Sequence, residues 1–197
     1  MFFRKKNLRT DLLRQGKRAH VPIKFNFVTI ISTWFYIGKS PIAPGTVASL
    51  STYLIYQLAL QSSISLLEVQ QTLLFVALIL LPLGWWCVHK FQDETKTSDN
   101  KMVVIDEIVG QLLTFGIAYK WLYAFSINYA YRIGMTGQSL AFWIGFLLFR
   151  YFDIFKPLFI GYADRLVKGA LGVMLDDILA AVYAGLILQG MAYFISR

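Results

Sequence analysis

Between Arg150 and Asp177 the chain reads RYFDIFKPLFIGYADRLVKGALGVMLDD. Four carboxylates (Asp153, Asp164, Asp176, Asp177) and four cations (Arg150, Lys156, Arg165, Lys168) stand there between two strongly apolar segments. Charge placed between hydrophobic spans is expensive near lipid and by default marks a task. Acids and cations in this mixture suit a metal bound through carboxylate oxygens and a phosphate held by the cations.

A second acidic pair, Asp106-Glu107, opens an apolar segment and is followed by Gly110 and Thr114. The plain explanation is that carboxylates are favoured at a helix N-terminus by its dipole. The chemical one is magnesium, which takes one or two carboxylates, keeps several waters and binds substrate phosphate. Arg150, Asp153 and Lys156 recur at i+3, so they share a helix face if the helix persists up to Pro157. An interfacial salt bridge with snorkelling cations would also explain them. Asp164 and Lys168 stand at i+4 with Arg165 beside them, a spacing that also suits an intrahelical pair. Asp176 and Asp177 are adjacent, so on a helix they diverge by about 100° and cannot both face one direction. One should point at the site while the other orients a cation or a ligand.

The elements that must position these residues are mostly apolar. Of 197 residues, 57% are hydrophobic and 15% charged, and the mean hydropathy is +0.55. Soluble domains run nearer 45–50% apolar and about 25% charged, so the composition predicts a membrane protein. Residues 1–24 carry eight cations against Asp11, a net +7 of the chain's +8. This basic tail lacks the aromatic interleaving of a nucleic-acid surface. It fits anionic headgroups and a cytoplasmic N-terminus. It has no adjoining apolar stretch of signal-peptide type. The single cysteine, Cys87, excludes an internal disulfide and a cysteine-based metal cluster.

Residues 25–197 read as one membrane-embedded all-α bundle of about five spans plus a short interfacial helix at Phe25–Ile37. Two prolines and two glycines in Gly38–Thr46 make a turn, with Thr46 as the N-cap of a helix from Val47 to Leu60. Backbone N–H groups at that entry would suit a phosphate. Spans follow at Thr72–Val88, where Pro82 can kink the helix, then at Val103–Ala124, Ser139–Phe152 and Ile178–Ile195. The expected loops are 61–71, 89–101, 125–138 and the charged stretch from 153 to 177. With a cytoplasmic N-terminus, nine of the eleven acidic residues collect at one membrane face: Asp93, Glu94, Asp99, Asp106, Glu107, Asp153, Asp164, Asp176 and Asp177.

Several chemistries are absent. The chain has no Asp-x-Asp phosphoryl acceptor, no paired histidine phosphatase motifs, no Cys-x5-Arg loop, no Walker loop and no GxGxxG. His20 and His89 are too few and too badly placed for histidine-based chemistry.

Four stretches together resemble the phosphatidylglycerophosphatase A family. They are Ser40-Pro41-Ile42-Ala43-Pro44-Gly45-Thr46 with Ser49-Leu50, and Val104-Ile105-Asp106-Glu107-x-x-Gly110. The third is Phe149-Arg150-x-x-Asp153-x-x-Lys156-Pro157. The fourth is Asp164-Arg165-x-x-Lys168-Gly169-x-x-Gly172-x-Met174-x-Asp176-Asp177-x-x-Ala180. Asp99 is similar to the aspartate that precedes the Asp-Glu motif. Ala48, Asn100 and Ala180-Ala181 depart from the pattern without removing a candidate ligand.

The resemblance implies hydrolysis of the terminal phosphate of phosphatidylglycerophosphate to phosphatidylglycerol, with Mg2+, at the cytoplasmic face of a bacterial inner membrane. It also implies an all-helical bundle with a central helix ringed by others. On this reading Asp106, Glu107, Asp153 and Asp176 or Asp177 hold one or two magnesium ions. Lys156, Arg150, Arg165 and Lys168 bind the phosphate near Asp164, aided by the Thr46 turn. Either a water or an aspartyl group attacks. The expected partners are the substrate, membrane lipids and no nucleic acid; no residue signals an oligomeric state. The competing class is a non-enzymatic transporter or scaffold, whose ion path should carry charges at several depths rather than at one end.

Overall fold

The computed structural model describes residues 25–97, 100–157 and 159–195, apart from the side chains of Asp164, Ala192, Phe194 and Ile195. The basic tail 1–24, including His20, and Asp99 lie outside the described residues, as does the Asp164 side chain. The elements in order are α1 (Phe27–Ser32), a 3-10 turn (Ile37–Lys39), α2 (Pro44–Ser62), α3 (Leu66–Thr95) and α4 (Ile105–Ala130). A second 3-10 turn (Tyr131–Ile133), α5 (Gly137–Phe155), α6 (Phe159–Leu166) and α7 (Gly169–Ile195) complete the described residues. The expected all-α class is observed, with no strand among the described residues.

Helix α4 is the axis. It packs against α2, α3, α5 and α7, and its buried residues run from Ile105 to Ala130 on every side. A helix apolar around its whole circumference belongs inside a bundle. The aromatic centre at Tyr56, Phe115, Tyr119 and Phe142 joins α2, α4 and α5 through ring contacts of 5.2–5.6 Å.

Element boundaries differ from expectation where apolar periodicity continues beneath charge. Helix α3 passes through Pro82 and on through the expected loop at 89–95. Gly84, Cys87, Val88 and Phe91 are buried at i, i+3, i+4 and i+7, so the inward face persists although His89, Lys90, Asp93 and Glu94 look polar. The helix starts at Leu66, inside the expected 61–71 loop. Its first turn is held by Ser65, whose hydroxyl accepts from Glu68 N, while the Glu68 carboxylate accepts from Ile64 N. Helix α2 starts at Pro44, so Thr46 lies in its first turn and is not the N-cap; Ala43 holds that place in a left-handed conformation. Pro suits a first helical position because its missing N–H has no partner there anyway.

Helix α5 ends at Phe155, correcting the idea that one face carries Arg150, Asp153 and Lys156 up to Pro157. Lys156 is left-handed at φ 43°, its N–H donates to Phe152 O, and Pro157 cannot continue the helix. The expected loop from 153 to 177 contains α6 and the start of α7.

Among the described residues, two helices are long and apolar enough to cross a membrane, Leu66–Thr95 and Gly169–Met191. Helix α3, at 30 residues, is about 45 Å long.

Candidate active site

Five parts of the chain meet at one end of the bundle. They are the start of α2, the end of α3 with the connection to α4, the start of α4, the end of α5 and the segment from Val167 into α7. Between them lies a cavity of about 680 Å³. Seven of the residues singled out from sequence line it: Asp106, Glu107, Asp153, Lys156, Lys168, Asp176 and Asp177.

Glycines permit the convergence. A Cβ on Gly110 would lie 2.6 Å from the Phe149 ring and 3.1 Å from Asp177 O, so the bare position lets the α5 ring and the α7 backbone come this close to α4. Gly45 lies against the Glu107 carboxylate and Gly38 against the Met102 carbonyl. The strap from α1 to the first 3-10 turn then fixes the approach to α4. Val104 N donates to Ser32 O at 2.9 Å, and Asn26 Nδ2 donates to Glu94 Oε2 at 3.2 Å.

The acids divide into two sets. Asp106, Glu107 and Asp177 each offer a carboxylate oxygen, and these atoms all lie within 4.8 Å of one another. Asp177 is only 3% exposed. Asp106 Oδ1, Glu107 Oε2 and Asp177 Oδ2 are buried without a hydrogen-bond partner. Buried carboxylates so close together repel, and a cation among them relieves that repulsion. An all-oxygen donor set with unsatisfied atoms fits a hard divalent ion such as magnesium.

Asp153 and Asp176 have other partners. Asp153 Oδ2 pairs with Arg150 Nη1 at 2.6 Å, with both side chains largely buried. Arg150 Nη1 also donates to Ser49 Oγ at 3.4 Å, tying α5 to α2. Asp176 Oδ2 pairs with Lys156 Nζ. The two neighbouring aspartates therefore take different directions, as the 100° step predicts. They stand two turns inside α7 rather than at the mouth of a span, because α7 begins at Gly169, with φ 73°.

Other candidates fall outside the lining. Thr46 is half-buried in the first turn of α2, whereas its neighbours Pro44 and Gly45 line the cavity. Arg150 stands behind the wall, holding Asp153. Arg165 is exposed on the last turn of α6. Sequence reading missed Gln92, Asn100 and Lys101, which also line the cavity. Gln92 gives no signal because its stretch reads as a loop, and Asn100 stands where the chain departs from the family pattern.

The family model described as Phosphatidylglycerophosphatase A matches residues 30–192. A phosphatidylglycerophosphatase A of Haemophilus influenzae is 30% identical over 173 residues, covering 86% of this chain and 91% of that protein. Its counterpart in Escherichia coli is 32% identical over 168 residues, covering 85% and 83%. A provisionally named phosphatidylinositol-3-phosphatase of Bacteroides thetaiotaomicron is 33% identical over 158 residues, covering 79% and 87%. No solved structure matches the chain. With the family model covering nearly all the described residues and the relatives aligned over most of their length, this protein belongs to the phosphatidylglycerophosphatase A family of phosphatases.

Proposed function

We propose that the chain removes the terminal phosphate of phosphatidylglycerophosphate at a membrane surface, with magnesium held by Asp106, Glu107 and Asp177. One observation carries this reading: three carboxylates with oxygens within 4.8 Å of one another, in a cavity that also presents Lys156 and Lys168. The cavity's acids and lysines gather at one end of the bundle, with Lys120 the main charge at another depth, which favours a headgroup enzyme over an ion path. Membrane residence is supported by α3 and α7, and by the outward Phe75, Leu78, Ile79, Trp85 and Trp86 of α3. The basic N-terminus and the bacterial relatives support placing the site at the cytoplasmic face of an inner membrane.

Phosphoryl transfer leaves little covalent work to the protein, which contributes position and charge. Magnesium bound here would offset the negative charge that builds on the phosphate oxygens. Lys156 and Lys168 line the cavity, where their charge would draw in the phosphate and bind its oxygens, and either could supply a proton to the departing glycerol oxygen. Asp176 sets where Lys156 Nζ stands. Arg150 and Asp153 lock the end of α5 against α2, so Glu107 keeps its place beside Gly45.

The test is phosphate release by purified protein in detergent micelles, offered phosphatidylglycerophosphate and, in parallel, phosphatidylinositol 3-phosphate. Release from the first, with phosphatidylglycerol as the lipid product, is expected. Release from the second alone, or from neither, overturns the proposal.

A further inference from the structure

Helix α6 has no counterpart in the sequence reading, and its outer face is unusual. Phe159, Tyr162 and Leu166 are 70%, 65% and 62% exposed. They stand at i, i+3 and i+7, so they form one stripe. Ile160 is fully buried on the opposite side. Tyr151, Ile154 and Phe155 at the end of α5, just before α6 in the chain, are also exposed. Arg165 follows Tyr162 by three residues and flanks it, and Lys168, three residues on, lines the cavity.

The helix is held in this attitude. A Cβ on Gly161 would lie 2.7 Å from the Lys156 carbonyl oxygen, and Gly172 lies against that of Val167. Ile160 N donates to Pro157 O, and Val167 N to Ala163 O. At eight residues α6 is far short of the roughly 20 that a span needs. An apolar stripe edged by cations, on a helix too short to cross, suits the boundary between headgroups and acyl chains.

We infer that α6 lies in the plane of an anionic bilayer, with Phe159, Tyr162 and Leu166 among the upper acyl chains and Arg165 at the phosphates. It is the surface over which a lipid substrate reaches Lys168 and the cavity. The occupant is lipid rather than a second protein because Arg165 and Lys168 border the stripe, and Leu166 is followed at once by Val167 and Lys168, which line the cavity. This rests on the lipid-phosphatase reading for its purpose but not for its placement.

Two measurements on the full chain separate those parts. Phe159→Cys, Tyr162→Cys and Leu166→Cys are each labelled with bimane, Cys87 being buried, and reconstituted in phosphatidylcholine–phosphatidylglycerol vesicles with brominated acyl chains. Quenching by bromine and shielding from aqueous iodide are expected at all three. Iodide access without bromine quenching overturns the placement. So does shielding from both, which would mean a protein covers the stripe.

In the second measurement, Phe159→Ser/Leu166→Ser should raise the KM for long-chain substrate in vesicles by about tenfold or more. The kcat on a short-chain, water-soluble phosphatidylglycerophosphate should stay unchanged. An unchanged vesicle KM overturns the docking role. If the wild type cleaves neither substrate, the phosphatase reading fails while the quenching still decides where α6 lies.

Discussion

Gly45 and Glu107 are in such close register that a Cβ on the glycine would overlap Glu107 Oε1. The first turn of α2 is therefore the backstop of a carboxylate on α4. Arg150 Nη2 would lie 3.4 Å from the same Cβ, so there is little room for the acid to move aside. Gly45→Ala should displace Glu107 by a fraction of an ångström or more. Displacements of about 1 Å at a reacting centre can cost roughly 100-fold in rate. Phosphate release should fall at least about tenfold, with helix content by circular dichroism unchanged. Normal turnover would remove Glu107 from the site.

Gly110 plays the corresponding part between α4 and α7. Adding a methyl group pushes on the Phe149 ring and the Asp177 carbonyl together. Overpacking of this kind typically costs about 1–3 kcal/mol. Gly110→Ala should lower the melting temperature and also raise the magnesium concentration needed for half-maximal activity. A loss of stability without the metal effect would mean that the helix spacing does not set the carboxylate spacing.

Lys156 and Asp176 should behave as one unit. Lys156→Met is expected to reduce kcat/KM about 100-fold, the scale seen when a charge-stabilising group is removed. If Asp176 acts by holding Lys156, Asp176→Asn should cost less. The double variant should then be no worse than Lys156→Met alone. Full additivity in this cycle would show that Asp176 works on the metal or substrate directly.

The sequence made the participants visible more clearly than their places. Sparse acids and cations in an apolar chain are conspicuous, and seven of them do line one cavity. Their division of labour was not legible, because it depends on which way each helix face turns. From sequence Asp176 and Asp177 read as the entrance to a span, because charge ordinarily marks the end of an apolar helix. Helix α7 carries them internally because their carboxylates face a polar cavity rather than lipid. The same confusion shortened α3, where the buried positions Cys87, Val88 and Phe91 lie beneath a charged outer face. Gly45, Gly110, Gly161 and Gly172 show their purpose only once the chain segments they separate are packed. Of the five expected spans, α3 and α7 have the length and apolarity of crossing helices.

In the proposed reaction Asp106, Glu107 and Asp177 together hold the magnesium that serves hydrolysis. The most direct measurement is phosphate release from phosphatidylglycerophosphate by wild-type and Asp177→Asn protein, after EDTA treatment and across a magnesium titration. EDTA should abolish wild-type release, and added magnesium should restore it. Asp177→Asn should remain inactive, or need far more magnesium, while inserting into membranes as the wild type does. Undiminished release in EDTA, or a wild-type magnesium response in Asp177→Asn, would contradict it.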